Sequence, residues 1–145
     1  MNKAKAYYFD MDGTIADLYG VDGWLDDLIA FRTRPYDEAR VMHNMSKLAK
    51  RIHKAQRSGI KVGIISWLSK TATEDYNKAV EKAKRTWLKK HLKSVTFDEI
   101  IIVPYGTPKH TLVAVDSVLF DDEAHNRNTW DKGSAYPPEM IFEIL

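Results

Sequence analysis

The sequence predicts an α/β protein: a parallel β-sheet with helices on both faces. Three observations predict it. Short apolar runs recur along the 145 residues, and stretches with helical spacing separate them. One run, "IKVGIIS", is apolar on both faces, as a central parallel strand covered on two sides must be. The length suits one domain around a single core.

Taken in order, residues 6–9, "AYYF", form the first strand, bounded by Lys5 and Asp10. Residues 11–20 carry Gly13 and Gly20 and read as a loop. "WLDDLIAFR" follows as a short amphipathic piece, with Trp24, Leu25, Leu28 and Phe31 at helical spacing. A long helix is expected over 37–58, because Val41, Met45, Leu48, Ile52 and Ala55 fall on one face. Gly59 stands where a helix-ending glycine belongs. "IKVGIIS", 60–66, is the second strand, and a second long helix runs over about 71–92. Its buried side is Tyr76, Val80, Ala83, Trp87 and Leu88. "EIIIV", 99–103, and "SVLFDD", 117–122, are the third and fourth strands. Pro137 and Pro138 open a last short helix ending near Leu145.

Composition narrows the function. The formal net charge of +2 gives no whole-molecule field that favours nucleic acid or membrane. The absence of cysteine rules out disulfides and thiolate metal sites, and it fits a cytoplasmic protein. No apolar run approaches the roughly 18 residues of a membrane span. The N-terminal stretch meets Asp10 too early to hold a signal-peptide core.

Ligands of parallel sheets sit outside the carboxyl ends of the strands. Asp10 and Asp12, Asp121 and Asp122, Ser66, and the loop "PYGTPKH" all lie at such ends. Three or four carboxylates gathered there need a cation, and hard oxygen donors suit Mg²⁺. One aspartate could then attack phosphorus, forming an aspartyl-phosphate. A second, two residues on, could protonate the leaving oxygen and later activate water. A lysine would offset negative charge, and a serine would hold a phosphoryl oxygen. Asp10, Asp12, Lys109 and Ser66 supply these parts, with Lys70 as a rival to Lys109. Asp121 and Asp122 have an alternative use, as the cap and first turn of a helix. Asp17 reads equally well as a surface or capping residue. The five histidines form no pair with the spacing of a zinc site; His43 and His53, ten apart, do not share a helix face.

"FDMDGTIAD" resembles the first motif of the haloacid dehalogenase-like (HAD) superfamily, a hydrophobic strand followed by DxDGT. "VGIIS", Lys109 in "GTPKH" and "VLFDDEAHN" resemble the second, third and fourth motifs, in the family's order and across nearly the whole chain. The resemblance implies a Rossmann-like, HAD-like fold. It implies Asp10 as nucleophile and Asp12 as general acid and base, with the main-chain carbonyl of Asp12 on the metal. Ser66 would bind the transferring phosphoryl group and Lys109 would neutralise it. Asp122 would be the main Mg²⁺ ligand of the fourth motif, with Asp121 beside it. Asn126 stands where many relatives carry a carboxylate, so its role is open. An acid at the position of Asp12 favours phosphate hydrolysis over dehalogenation.

The chain reads as one domain over 1–145 with a small flap or helical insert at about 17–36 and minimal or no cap. Such a site is open and can admit a bulky or polymeric substrate. Trp24 on the flap and Trp67 beside Ser66 could stack on a base. Arg32 and Arg34 could grip a second phosphate or a ribose. "AKRTWLKKHLKSVTFDEIIIV" looks like the corresponding region of the 5′(3′)-deoxyribonucleotidase branch. The expected substrate is therefore a nucleoside monophosphate or a nucleic-acid terminal phosphate. A sugar phosphate or a phosphoprotein is the alternative, and a non-catalytic binding protein is a third reading. Lys78, Lys82, Arg85, Lys89 and Lys93 run along one side of the second helix, a solvated face or a track for an acidic polymer. Oligomeric state is left open.

Overall fold

The computed structural model describes residues 4–70 and 72–145. In chain order the elements are β1 (Ala6–Phe9), β2 (Ala16–Asp17), α1 (Trp24–Ile29), α2 (Arg34–Glu38), β3 (Arg40–Val41) and α3 (Met45–Arg57). They continue with β4 (Lys61–Trp67), α4 (Glu74–His91), β5 (Glu99–Val103), β6 (Ser117–Phe120), α5 (Ala124–Thr129), β7 (Ala135–Tyr136) and α6 (Ile141–Ile144). Five strands form one parallel sheet in the order β5-β4-β1-β6-β7. This is the α/β, Rossmann-like arrangement. The chain builds outward from β1 through β4 to β5, then crosses back to lay β6 on the other side of β1. The carboxyl ends of β1 and β6 therefore flank the point where the winding reverses, which is where such sheets bind ligands.

Successive side chains of β1 point to opposite faces. Phe9, with Val62, Ile64, Val118 and Phe120, meets Leu48, Ile52 and Ala55 of α3, Trp87 and Leu88 of α4, and Ile141 of α6. Ala6 and Tyr8, with Ile65 and Leu119, meet Trp130 just beyond α5 and the partly buried Leu112 and Val113. Each fully buried Leu, Ile or Phe adds about 1.5–3 kcal/mol, so the first face supplies most of the hydrophobic stabilisation.

The helix expected over 37–58 is two helices with a strand between them. α2 ends at Glu38, Ala39 is extended, and Arg40–Val41 pairs antiparallel with Ala16–Asp17. Val41 is β-branched and finds a strand partner in Ala16, so it lies on a half-exposed ribbon and not in the core. Asn44 then starts α3, its side chain accepting from the Lys47 N–H at 3.0 Å. The other differences are smaller. The loop 11–20 contains β2 and a 3-10 turn, Leu18–Gly20. α4 begins at Glu74 under a Thr73 cap, and Thr71 lies outside the described residues. The expected final helix is a 3-10 turn, Pro138–Met140, followed by α6. β7 has only two residues, too few for periodicity to reveal. No described helix is long and apolar enough to cross a membrane.

Candidate active site

β1 delivers Asp10 to the sheet edge, and a tight turn follows. The Met11 carbonyl accepts N–H groups from Thr14, Ile15 and Ala16, each at 3.0 Å. Gly13 holds a left-handed φ of 82°, and a Cβ there would lie 2.2 Å from Oδ2 of Asp122. Both facts demand glycine. The turn aims the buried Thr14 hydroxyl back at the strand. It donates to Oδ2 of Asp10 at 2.9 Å and accepts from the Asp122 N–H at 3.1 Å. One hydroxyl thus ties the loop after β1 to the loop after β6.

The β6 loop carries the second acidic pair. Asp121 is fully buried, and three donors hold its carboxylate in place, leaving one direction on Oδ1. Oδ2 accepts from Lys109 at 2.7 Å and from Asn126 at 3.1 Å, Oδ1 accepts the Glu123 N–H at 2.9 Å, and its carbonyl accepts from Arg127 at 3.0 Å. Lys109 is 3% exposed and also donates to Oδ1 of Asp10 at 2.9 Å. Lys70 instead lies exposed at the rim, its ammonium 5.7 Å from the centre of the Tyr105 ring. The geometry therefore brings Lys109, and not Lys70, to the carboxylates. Asp10, Asp121 and Asp122 each offer an oxygen within 4.8 Å of the others.

Ser66, at the end of β4, is buried and faces a residue that the sequence reading did not single out. Lys84 of α4 is 1% exposed. Its ammonium donates to Oδ2 of Asp12 at 2.8 Å, Oγ of Ser66 at 2.6 Å and the Trp67 carbonyl at 2.9 Å. All three of its protons are spent on three acceptors. A signal was present: Lys84 lies four residues after Val80 and three before Trp87, on the apolar stripe of the helix. A lysine on that stripe must find buried partners.

The site opens into a cavity of about 260 Å³. Its walls are Trp67, Tyr105, Tyr19, Trp24, Leu25 and Leu28, and its floor holds Asp10, Asp12, Lys109 and Asp122. Trp67 is held by its indole N–H on the Thr107 carbonyl at 2.8 Å and packs against Tyr105. Trp24 packs edge-on against Tyr19, with ring centres 4.9 Å apart. Both tryptophans singled out from the sequence line the mouth. Arg32 and Arg34 do not line it. They turn to Asp27, Arg34 through a 2.6 Å bond from its Nε and Arg32 at 3.3 Å, and they fasten α1 to α2.

Burial and crowding set the electrostatics. The Asp122 carboxyl is pushed up to about 8 by burial and by the Asp10 carboxylate beside it. Asp121 is pushed up to about 6 by burial and Asp10, against the pull of Lys109. Burial also holds Asp12 above the usual carboxylate range despite Lys84. Burial works to lower Lys109, but Asp10 and Asp121 outweigh it and hold the ammonium charged. With all three carboxylates ionised, the one ammonium of Lys109 would leave the cluster about two positive charges short. Hard oxygen donors in that balance fit a divalent cation such as Mg²⁺.

The sequence matches no protein-family model and no curated protein. Solved structures do resemble it. A protein described as a HAD-like phosphatase from Mesorhizobium loti superposes with a TM-score of 0.55 at 16% identity, covering 91% of this chain and 69% of the other. D,D-heptose 1,7-bisphosphate phosphatase from Burkholderia thailandensis superposes with a TM-score of 0.52 at 11% identity, covering 91% of each. With its strand order and its acidic sheet edge, the chain thus has the fold of HAD-like phosphatases.

Proposed function

We propose that the chain is a Mg²⁺-dependent phosphomonoester hydrolase acting through an aspartyl-phosphate, on a nucleoside monophosphate or the terminal phosphate of a nucleic acid. One observation carries the reading: Asp10, Asp121 and Asp122 each bring an oxygen within 4.8 Å of the others, with Lys109 bridging Asp10 and Asp121, under an aromatic mouth. Asp10, Asp122 and the main-chain carbonyl of Asp12 would hold Mg²⁺, with Asp121 beside them. When bound, the ion polarises a phosphoryl oxygen and offsets its charge.

The chain's own groups carry the rest. A carboxylate oxygen of Asp10 attacks phosphorus, the bond from phosphorus to the ester oxygen breaks, and Asp12 gives that oxygen a proton. The raised proton affinity of Asp12 suits a donor. Asp12 then takes a proton from water, the resulting hydroxide attacks phosphorus, and inorganic phosphate leaves Asp10 unchanged. Lys109 steadies the charge on Asp10 and on the phosphoryl group. Because the Ser66 oxygen accepts from Lys84, its own hydroxyl proton is available to a phosphoryl oxygen. Trp67 and Trp24 offer flat faces to a base, whereas Asp27 already occupies Arg32 and Arg34.

The solved relative named for a heptose bisphosphate keeps a sugar phosphate as the competing substrate class. The flat faces of Trp67, Trp24 and Tyr105 at the mouth support a base, although Ser69, Lys70 and Glu123 in the same lining could also meet sugar hydroxyls. The test is phosphate release from nucleotides, phosphate-ended oligonucleotides, sugar phosphates and phosphopeptides, with EDTA and Asp10→Asn as controls. Nucleotide or oligonucleotide turnover that needs Mg²⁺ and Asp10 supports the reading. Turnover that survives Asp10→Asn, or that peaks on a sugar phosphate, overturns it.

A further inference from the structure

The near-neutral total charge hides a sharp division. Residues 45–93 hold 14 of the 22 lysines and arginines but only 3 of the 20 acidic residues, a net of +11 that leaves −9 on the rest of the chain. This segment contains α3 and α4, which lie side by side over one face of the sheet. Lys84 is the one buried cation among its described helical residues; Lys50, Lys54, Lys82, Lys89 and Lys90 are exposed. Those five make no ion pair among the described residues. Lys78 and Arg85 pair only with Glu74 and Glu81 one helical turn earlier, at 3.8 and 3.2 Å. Exposed pairs of this kind are weak and give way readily.

The cations are ordered along the helix. Lys78, Lys82, Arg85, Lys89 and Lys93 recur every three or four residues, about 4.5–6 Å of helix rise. At the far end, Lys50, His53, Lys90, His91 and Lys93 line a cleft of about 450 Å³ between α3 and α4 with no acidic residue in its walls. α4 leaves the carboxyl edge of β4 and returns the chain to the amino end of the parallel β5, so the track leads away from the site that Lys70 rims. The large exposed apolar side chains among the described residues are Tyr19, Leu25, Ile29, Phe31, Val41, Met42, Tyr105 and Val115, and neither α3 nor α4 carries one. A face without apolar anchors suits a solvated polyanion better than a lipid surface.

We propose that the α3–α4 face binds the phosphate backbone of a single-stranded nucleic acid and leads its end to the Asp10 site. The placement of the end rests on the phosphatase reading above; the binding does not. Repeated cations on one helix match the repeated charges of the strand. Trp67, Trp24 and Tyr105 at the mouth receive unpaired bases, which selects a single strand over a duplex.

The experiment measures fluorescence anisotropy of a labelled oligothymidylate without terminal phosphates, across a salt series, on the full chain. About four phosphate contacts give a slope of log affinity against log salt near −3 (roughly −0.7 per contact). Lys82→Glu/Lys89→Glu/Lys93→Glu should weaken binding at least tenfold and flatten the slope. Because the substituted side chains are exposed, circular dichroism should show the triple variant folded. In the second arm, the triple variant should lose kcat/KM on a phosphate-ended oligonucleotide and keep it on a nucleoside monophosphate. No oligothymidylate binding, equal binding by the triple variant, or preferential binding to phosphatidylserine vesicles or polyglutamate overturns the proposal. Failure of hydrolysis with intact binding strikes the phosphatase reading alone.

Discussion

Lys84→Met removes a buried charge while keeping the length of the side chain. Three groups lose their partner together: Asp12 Oδ2, Ser66 Oγ and the Trp67 carbonyl. Removing one member of a buried ion pair costs about 3–5 kcal/mol, because the remaining charge keeps its desolvation penalty. Asp12 has a way to soften this, since burial already holds its carboxyl above the usual range and it can take up a proton. The lower end, about 3 kcal/mol, is therefore the expected loss. In a domain of this size about 1 kcal/mol moves Tm by ~2–4 °C, so Tm should fall by roughly 6–12 °C. Urea and thermal unfolding of the parent, Lys84→Met, Asp12→Asn and the double variant complete the cycle. The double variant should be markedly more stable than the sum of the single losses requires, with a coupling of about 2 kcal/mol. A Lys84→Met protein within about 0.5 kcal/mol of the parent, or losses that simply add, would refute the assignment of Lys84 as the clasp between Asp12 and Ser66.

Three further outcomes are expected. Gly13→Ala should cost about 1–2 kcal/mol for the left-handed backbone alone, and it should also weaken Mg²⁺ binding, read by calorimetry, because the new methyl displaces Asp122. Metal-free protein should lose stability as pH rises from about 4 to about 8. In that window the native state keeps protons on Asp121 and Asp122 that the unfolded chain has already released. Mg²⁺ held as proposed would relieve this, so the rise in Tm on adding Mg²⁺ should be larger at pH 8 than at pH 5.5; an equal rise at both would contradict it. Trp67→Ala should raise KM for nucleotide substrates about tenfold through lost stacking of ~1–3 kcal/mol, with kcat nearly constant in steady-state assays.

The sheet was legible because its strands are apolar runs that end at charged or breaking residues. The positions of Asp10, Asp12, Ser66, Lys109, Asp121 and Asp122 followed from chain order once the strands were parallel. What escaped notice depends on contacts distant in sequence. The break between α2 and α3 depends on Ala16, a strand partner some two dozen residues earlier than Val41. Lys84 was hidden among the lysines of a basic helix, and only its place on the apolar stripe set it apart. Arg32 and Arg34 looked like substrate contacts because of their position on the flap, yet Asp27, a few residues away, was a nearer counter-charge.

The strand that bears Asp10 is the middle one of five and is bonded along both sides. Unfolding of a sheet starts at its margins, so the backbone amides of Tyr8 and Phe9 should exchange with deuterium only when the whole molecule opens. The rim from Tyr19 to Phe31 is made of short, half-exposed pieces whose amides should exchange early. The proposed nucleophile is therefore mounted on the most persistent part of the molecule, and the rim proposed to choose a ligand belongs to the most yielding.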